Sequence, residues 1–172
     1  MPTSKRDDTN ALNLLMEDHK NVRKMFKDFE KMHANASPED KQELVEQICA
    51  ELTMHTTIEE EIFYPAARDA IEDDDLMNEA EVEHASAKEL IEQIQAMDPS
   101  DPMYDAKVTV LGEYVEHHVK EEEKEMFPKA KKAKMDLDAL GQEILQSKES
   151  QNAGMLADQK PQGKSRSSTA RP

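Results

Sequence analysis

Apolar side chains recur at steps of three and four residues in four separate segments of this 172-residue chain. Such a period places them on one face of an α-helix, because 3.6 residues complete a helical turn. The first segment covers about residues 9–33, and Pro38, the acidic run 73–75 and the break 98–102 set off the next three. Four glycines, no tryptophan and 4% aromatic residues are untypical of β-sheet proteins. The sequence therefore predicts an all-α fold, an up-down-up-down four-helix bundle.

Capping signals indicate where these helices begin. Ser37 precedes Pro38, and a proline in the first helical turn loses nothing by lacking an N–H group. Asp7, Asp8 and Thr9 are the candidate caps of the first helix. We therefore expect the first two helices to start at these positions.

Charge divides the chain into a body and a tail. A net charge of −16 repels phosphate backbones, so no nucleic-acid partner is expected. Residues 8–146 are expected to form one domain, and residues 147–172, rich in Ser, Gln, Lys and Pro, a disordered basic tail. No apolar stretch approaches the roughly 20 residues of a membrane span. A single cysteine, Cys49, and no apolar leader are typical of a cytoplasmic protein.

Six polar residues interrupt the apolar stripes at positions where leucine or isoleucine would be expected. A buried carboxylate without a partner is costly or takes up a proton, so these positions need a physical reason. One histidine on such a stripe is usually a polar core group. Four of them on four helices, together with two glutamates, predict a shared interior site. The six are His19, His55, Glu59, His84, His118 and Glu122.

Two segments of the chain repeat the same pattern. Residues 55–65 read HTTIEEEIFYP and residues 118–128 read HVKEEEKEMFP. Each has a glutamate four residues after its histidine, which places the two side chains on one helix face. A further histidine, His19 or His84, lies on the preceding helix. The sequence thus predicts a duplicated helical hairpin whose two halves meet in one bundle.

Four imidazoles and two carboxylates suit a pair of first-row transition-metal ions. Carboxylates can bridge two cations, and imidazoles fill the terminal positions. Calcium and magnesium prefer all-oxygen sites, and one cysteine cannot build a thiolate cluster. Iron is the expected metal, ahead of manganese and zinc. The alternative is an acidic bundle whose histidines are only polar core groups.

The two HxxxE halves, with their aromatic-proline ends, resemble the hemerythrin family in its HHE cation-binding form, over about residues 12–134. The resemblance implies a bundle around a non-haem di-iron centre with an oxo or hydroxo bridge. Such a centre binds O₂, NO or a related small ligand in sensing, buffering or stress response. By position, the six polar residues match the family's ligands, with Glu59 and Glu122 as bridges. An enzyme acting on hydrogen peroxide or ferrous iron is the second function left open.

Two positions depart from the family's pattern. Lys88 stands where oxygen-carrying hemerythrins have a further histidine, which leaves reversible O₂ carriage open. Glu123 stands where their last bridging carboxylate is usually an aspartate, so it competes with Glu122 for that role. Otherwise Glu60 and Glu123 are expected on the solvated face. Tyr114, one turn before the last site histidine, is expected in the core or at the metal pocket.

Overall fold

A computed structural model describes residues 9–158, and that part of the chain is helical, without a strand. The helices are α1 (Ala11–Met32), α2 (Pro38–Ile58), α3 (Tyr64–Ile71), α4 (Asp74–Gln95), α5 (Tyr104–Glu121), α6 (Phe127–Lys132) and α7 (Leu137–Asp158). Two π-helical turns join helices end to end: the first π-turn, Glu59–Phe63, links α2 to α3, and the second π-turn, Glu122–Met126, links α5 to α6. The predicted all-α helical bundle is confirmed. Within residues 9–158 no helix is both long enough and apolar enough to cross a membrane.

The helix starts follow local capping chemistry. The Ser37 hydroxyl accepts a hydrogen bond from the Asp40 N–H at 3.1 Å, which confirms the predicted start of α2. Helix α1 is capped by Asn10, whose side chain accepts from the Asn13 N–H at 3.0 Å, and not by Thr9. The other two candidate caps, residues 7 and 8, lie outside the described residues.

Two apolar clusters fill the bundle, one at each end. Helix α1 packs against α2 and α5, and α4 packs against α5 and α2. The first cluster includes Leu12, Leu15, Phe63, Met77 and Ile144. The second includes Val22, Ile48, Leu52, Ile91 and Leu111. The six polar positions fall between these clusters, on α1, α2, α4, α5 and the two π-turns, so the bundle contains a polar layer across its middle.

Each π-turn ends two residues before a proline, Pro65 or Pro128, and begins at a glutamate of the polar layer. Proline has no N–H group to donate, and its ring clashes with the carbonyl four residues earlier in an α-helix. In the wider turn the Tyr64 N–H donates to the Glu59 carbonyl, and the Phe127 N–H donates to the Glu122 carbonyl. The turn therefore carries the chain past the proline without ending the helix.

Helix α7 is a further helix, beyond the four that the sequence analysis predicted. It packs on α1 and α2 and buries Gly141 and Ile144. It continues to Asp158, so residues 147–158 are helical, in contrast to the disordered tail expected from residue 147. Polar composition pointed to disorder, but Gln, Lys, Glu, Ala and Met are also adequate helix formers. The remaining residues, 159–172, lie outside the described residues.

Candidate metal centre

The polar layer brings together all six residues that the sequence singled out. None of them is more than 8% exposed. These residues come from four helices and the two π-turns, because each half of the duplication supplies one lone histidine and one HxxxE pair. The contributors are His19 from α1, His55 from α2, Glu59 from the first π-turn, His84 from α4, His118 from α5 and Glu122 from the second π-turn.

The Glu59 carboxylate lies between two histidines. Its Oε1 is 3.1 Å from His55 Nε2, and its Oε2 is 3.2 Å from His84 Nε2. His55 belongs to the same HxxxE pair, whereas His84 belongs to the other half of the duplication. Glu59 thus links the two halves.

The Glu122 carboxylate has the equivalent arrangement. Its Oε2 is 3.1 Å from His19 Nε2, and its Oε1 is 3.4 Å from His118 Nε2. Two groups of ligand atoms result, each with its atoms within 4.8 Å of one another, and Glu59 is common to both. They are His19, His55, Glu59 and Glu122, and Glu59, His84 and His118.

Four of these buried atoms make no hydrogen bond: His19 Nε2, His55 Nε2, Glu59 Oε1 and Glu122 Oε2. They face one another in two His–Glu pairs at 3.1 Å without hydrogen-bond geometry. Buried polar atoms that make no hydrogen bond are unusual in a folded protein. All four belong to the first ligand group. A cation bound among them would give each atom a partner, so the residues present fit a metal ion.

The opposite ring nitrogen of each histidine donates to a carboxylate outside this ligand set. His55 Nδ1 donates to Asp18 at 3.2 Å, and His118 Nδ1 donates to Glu83 at 2.6 Å. Asp18 and Glu83 are equivalent in the duplication, since each directly precedes the lone histidine of its half.

The lone histidines are held across the duplication. His84 Nδ1 donates to Glu60 at 3.0 Å, and His19 Nδ1 donates to Glu123 at 3.0 Å. Glu60 and Glu123 each follow a glutamate of the polar layer, and both are partly buried, not solvated as expected. Glu123 lies outside the inner ligand groups, which contain Glu122. All four histidines therefore present Nε2 inward, as metal-ligating histidines with carboxylate partners do.

The four carboxylates that accept from the histidine Nδ1 atoms, those of Asp18, Glu60, Glu83 and Glu123, are called the outer carboxylates, and cations of the duplicated hairpins pair with two of them. Lys88 pairs with Glu60 at 2.6 Å, and Arg23 pairs with Glu123 at 3.0 Å. Lys88 and Arg23 occupy equivalent positions, four residues after the lone histidine of their half. Lys88 is 43% exposed and pairs with Glu60. Where oxygen-carrying hemerythrins have a further histidine, this chain therefore has a lysine that binds an outer carboxylate.

Without metal, neighbouring carboxylates favour the protonated forms of His55 and His118. Burial alone would lower the pKa of His55, but the carboxylates of Glu59 and Asp18 outweigh it and raise that pKa to about 10. Glu122 likewise raises the pKa of His118 against the effect of burial. Burial would raise the pKa of Glu122, but His118 holds it well below its usual value. A metal ion must therefore displace protons to bind.

Tyr64 is a residue of the site that the sequence analysis missed. Its hydroxyl donates to Glu122 Oε1 at 2.7 Å. The same oxygen lies 3.1 Å from His84 Nε2 and 3.2 Å from His118 Nε2. The phenol therefore occupies the side of the polar layer that holds the second ligand group.

The missed signal was a difference between the two aromatic-proline pairs. Phe127 occupies the position equivalent to Tyr64 and stacks on the His19 ring with the centroids 5.7 Å apart. Tyr64 stacks on His84 at 5.1 Å, so only a hydroxyl distinguishes the two halves here. Tyr114, by contrast, is 50% exposed, and both expectations for it were wrong.

Comparison with known proteins agrees with this geometry. The family model described as Hemerythrin HHE cation binding domain matches residues 10–130. A DNA nickase from Nostoc sp. strain PCC 7120 is 33% identical over 124 residues, which cover 72% of this chain and 34% of that protein. The chain thus spans about a third of that relative.

A crystal structure has a similar fold. It is that of a hemerythrin HHE cation binding domain-containing protein from Mycobacterium kansasii, the Rv2633c homologue, with a TM-score of 0.71 and 25% identity. The match covers 87% of this chain and 91% of that one. With the family model matching most of the chain, the protein belongs to the hemerythrin HHE cation binding domain family.

Proposed function

We propose that this protein binds two iron ions in its polar layer and uses them to bind O₂, NO or a related small ligand in sensing, buffering or stress response. The supporting observation is the convergence of four inward Nε2 atoms on two buried carboxylates. Imidazole and carboxylate donors without thiolate suit iron, and manganese and zinc are the less favoured alternatives. Glu59 and Glu122 are the proposed bridges.

The chain's own residues would prepare such a centre for a small ligand. Iron bound there supplies one-electron redox chemistry and a position for the ligand. The outer carboxylates fix the imidazole directions, and the apolar clusters on both sides keep bulk water from the layer. The Tyr64 hydroxyl is the polar group positioned to hydrogen-bond a ligand on the side of His84 and His118.

A surface cleft leads to this side of the layer. It has a volume of about 520 Å³ and is lined by Glu60, Tyr64, Pro65, Arg68 and Glu81. Tyr64 is common to the cleft and the polar layer. A diatomic molecule or peroxide entering the cleft would thus approach the polar layer beside Tyr64.

Anaerobic loading with ferrous iron tests the proposal. We expect about two irons per chain by metal analysis, and an optical change that saturates as NO is added. A folded protein that takes up no iron under these conditions would refute the proposed function.

A second candidate function is an enzyme acting on hydrogen peroxide or ferrous iron. The hydrogen bond of 2.7 Å from Tyr64 to Glu122 favours it, because a phenol beside a redox centre can supply or hold a proton. Oxygen evolution from peroxide by the iron-loaded protein, well above that of free iron, would favour the enzyme. Saturable NO binding without oxygen evolution would favour the binding protein.

The activity named for the Nostoc relative is not part of this proposal. The chain covers 34% of that DNA nickase. The net charge of this chain, −16, would also repel DNA. We infer a cytoplasmic protein without a nucleic-acid or membrane partner, in which the buried free thiol of Cys49 stays reduced.

A further inference from the structure

Helix α7 reaches the metal centre through one side chain. The Lys148 ammonium pairs with Oδ1 of Asp18, whose Oδ2 accepts from His55 Nδ1 at 3.2 Å. The side chains of Lys148 and Asp18 are 23% and 11% exposed, so their ion pair is largely shielded from water. Three contacting residues thus connect the last described helix to a proposed metal ligand.

The Lys148–Asp18 ion pair differs from the other ion pairs of the outer carboxylates in where its cation comes from. Arg23 and Lys88, which hold the outer carboxylates of the lone histidines, lie within the duplicated hairpins at equivalent positions. Glu83, the counterpart of Asp18, faces the exposed His117 at 3.3 Å. Helix α7 is outside the duplicated unit and outside the residues 10–130 that match the family model. The cation that pairs with Asp18 therefore comes from outside the duplicated hairpins.

Helix α7 has two anchors along its inward face. At the first, a Cβ added to Gly141 would lie 2.0 Å from the Thr9 carbonyl oxygen, so the two backbones touch there. Ile144 is buried one turn later, and Lys148 takes the next inward position. From residue 149 to 158 every side chain is exposed except the half-buried Gln151. The Lys148 ion pair therefore fixes the middle of α7.

We propose that α7 is a latch on the metal centre, and that Lys148 is a positioning residue that keeps Asp18 on His55 Nδ1 and so fixes the direction of Nε2. This inference rests on the proposed function. Lys148 holds one oxygen of the Asp18 carboxylate while the other oxygen faces His55 Nδ1, so removing Lys148 leaves the carboxylate free to turn away from the imidazole. Because coupling is reciprocal, metal binding must tighten α7 by as much as α7 tightens metal binding.

Ferrous-iron affinity of Lys148 variants tests the latch, measured anaerobically by competition with a chelator. Loss of a residue that orients a metal-binding histidine typically costs 10–100-fold in affinity, and we expect about tenfold for one of the two ions in Lys148→Ala. Lys148→Arg should restore it. In an Asp18→Asn background, Lys148→Ala should have no further effect. The matched control is Lys129→Ala, which removes the surface ion pair with Asp73 at 2.6 Å and should bind iron like wild type.

Hydrogen exchange supplies the reciprocal readout. Iron loading should slow amide exchange in residues 145–158 of the wild type and not of Lys148→Ala. Gly141→Ala, which displaces α7 at the other anchor with Lys148 intact, should lower the same affinity while helicity is retained. If wild type binds two irons and Lys148→Ala binds both equally tightly, the latch is wrong and the proposed function stands. If the wild type binds no iron, both are wrong.

Discussion

At the scale of single residues, the duplicated motif places equivalent atoms on opposite sides of one small volume. Glu59 has no exposed surface and belongs to both ligand groups, whereas Glu122 belongs to the first. A carboxylate shared by two cations offsets charge on both of them. The six residues of the polar layer could be predicted from the sequence because histidine and glutamate visibly interrupt an apolar stripe.

Glu59→Ala should lose most of the bound iron, because both proposed ions lose a ligand. Helicity should persist, since the apolar clusters above and below the layer are unchanged. Metal analysis and circular dichroism of the purified variant check both points. Glu61→Ala is the matched control, because Glu61 is an exposed neighbour in the same π-turn. Two irons retained in Glu59→Ala would show that this glutamate is not a bridge.

Tyr64→Phe removes the hydroxyl that distinguishes Tyr64 from its equivalent, Phe127. It removes the hydrogen bond to Glu122 and leaves the ring to stack on His84. We expect two irons to stay bound, while any peroxide turnover falls by about 100-fold or more, the usual contribution of a positioned proton donor. Steady-state oxygen evolution measures this. Phe127→Tyr, on the equivalent position, should not restore turnover in the Tyr64→Phe background. Unchanged turnover in Tyr64→Phe would remove the phenol from the chemistry.

At the scale of helices, sequence reasoning found the start of α2, which a short capping motif specifies, but not Asn10, the cap of α1. Ser37 with Pro38 determines where α2 begins. It did not find the π-turns, because a five-residue widening leaves the apolar stripe intact on both sides. It also missed α7, whose inward face carries polar residues such as Lys148 after Ile144. Outer carboxylates were missed for a related reason, since glutamates beside the stripe look like a solvated face until the neighbouring helix is in place.

Ser37→Ala should lower the free energy of unfolding by about 1 kcal/mol, because it removes an N-cap hydrogen bond at the exposed start of α2. Ser37→Gly should cost only a few tenths of that, since glycine tolerates the cap backbone and leaves the N–H open to water. Urea unfolding of the two metal-free variants measures the difference. A Ser37→Ala variant as stable as the wild type would show that the cap contributes little.

At the scale of the whole molecule, the polar layer interrupts an otherwise apolar interior. Two apolar clusters lie on either side of six buried polar side chains. Buried ion pairs contribute little net stability, because desolvation offsets their attraction. Cations bound in the layer would remove that conflict and stabilise the folded state by mass action.

Iron-loaded protein should therefore melt at a higher temperature than chelated protein, and the gap should widen as pH rises from 5 to 9. The pKa of His55 is raised to about 10 in the metal-free protein, so protons compete with metal throughout this range. As pH falls, the competition strengthens, metal affinity drops and the two melting curves approach each other. Differential scanning calorimetry at several pH values measures the gap. A gap that stays constant with pH would contradict displacement of protons by metal.

The proposed di-iron centre is tested most directly by anomalous diffraction from crystals of the iron-loaded protein, collected on both sides of the iron absorption edge. We expect two iron peaks in the polar layer, both beside Glu59. One should lie between His19 and His55, and the other between His84 and His118. A structure with the same fold but with iron elsewhere, or with no iron peak among these residues, would contradict it.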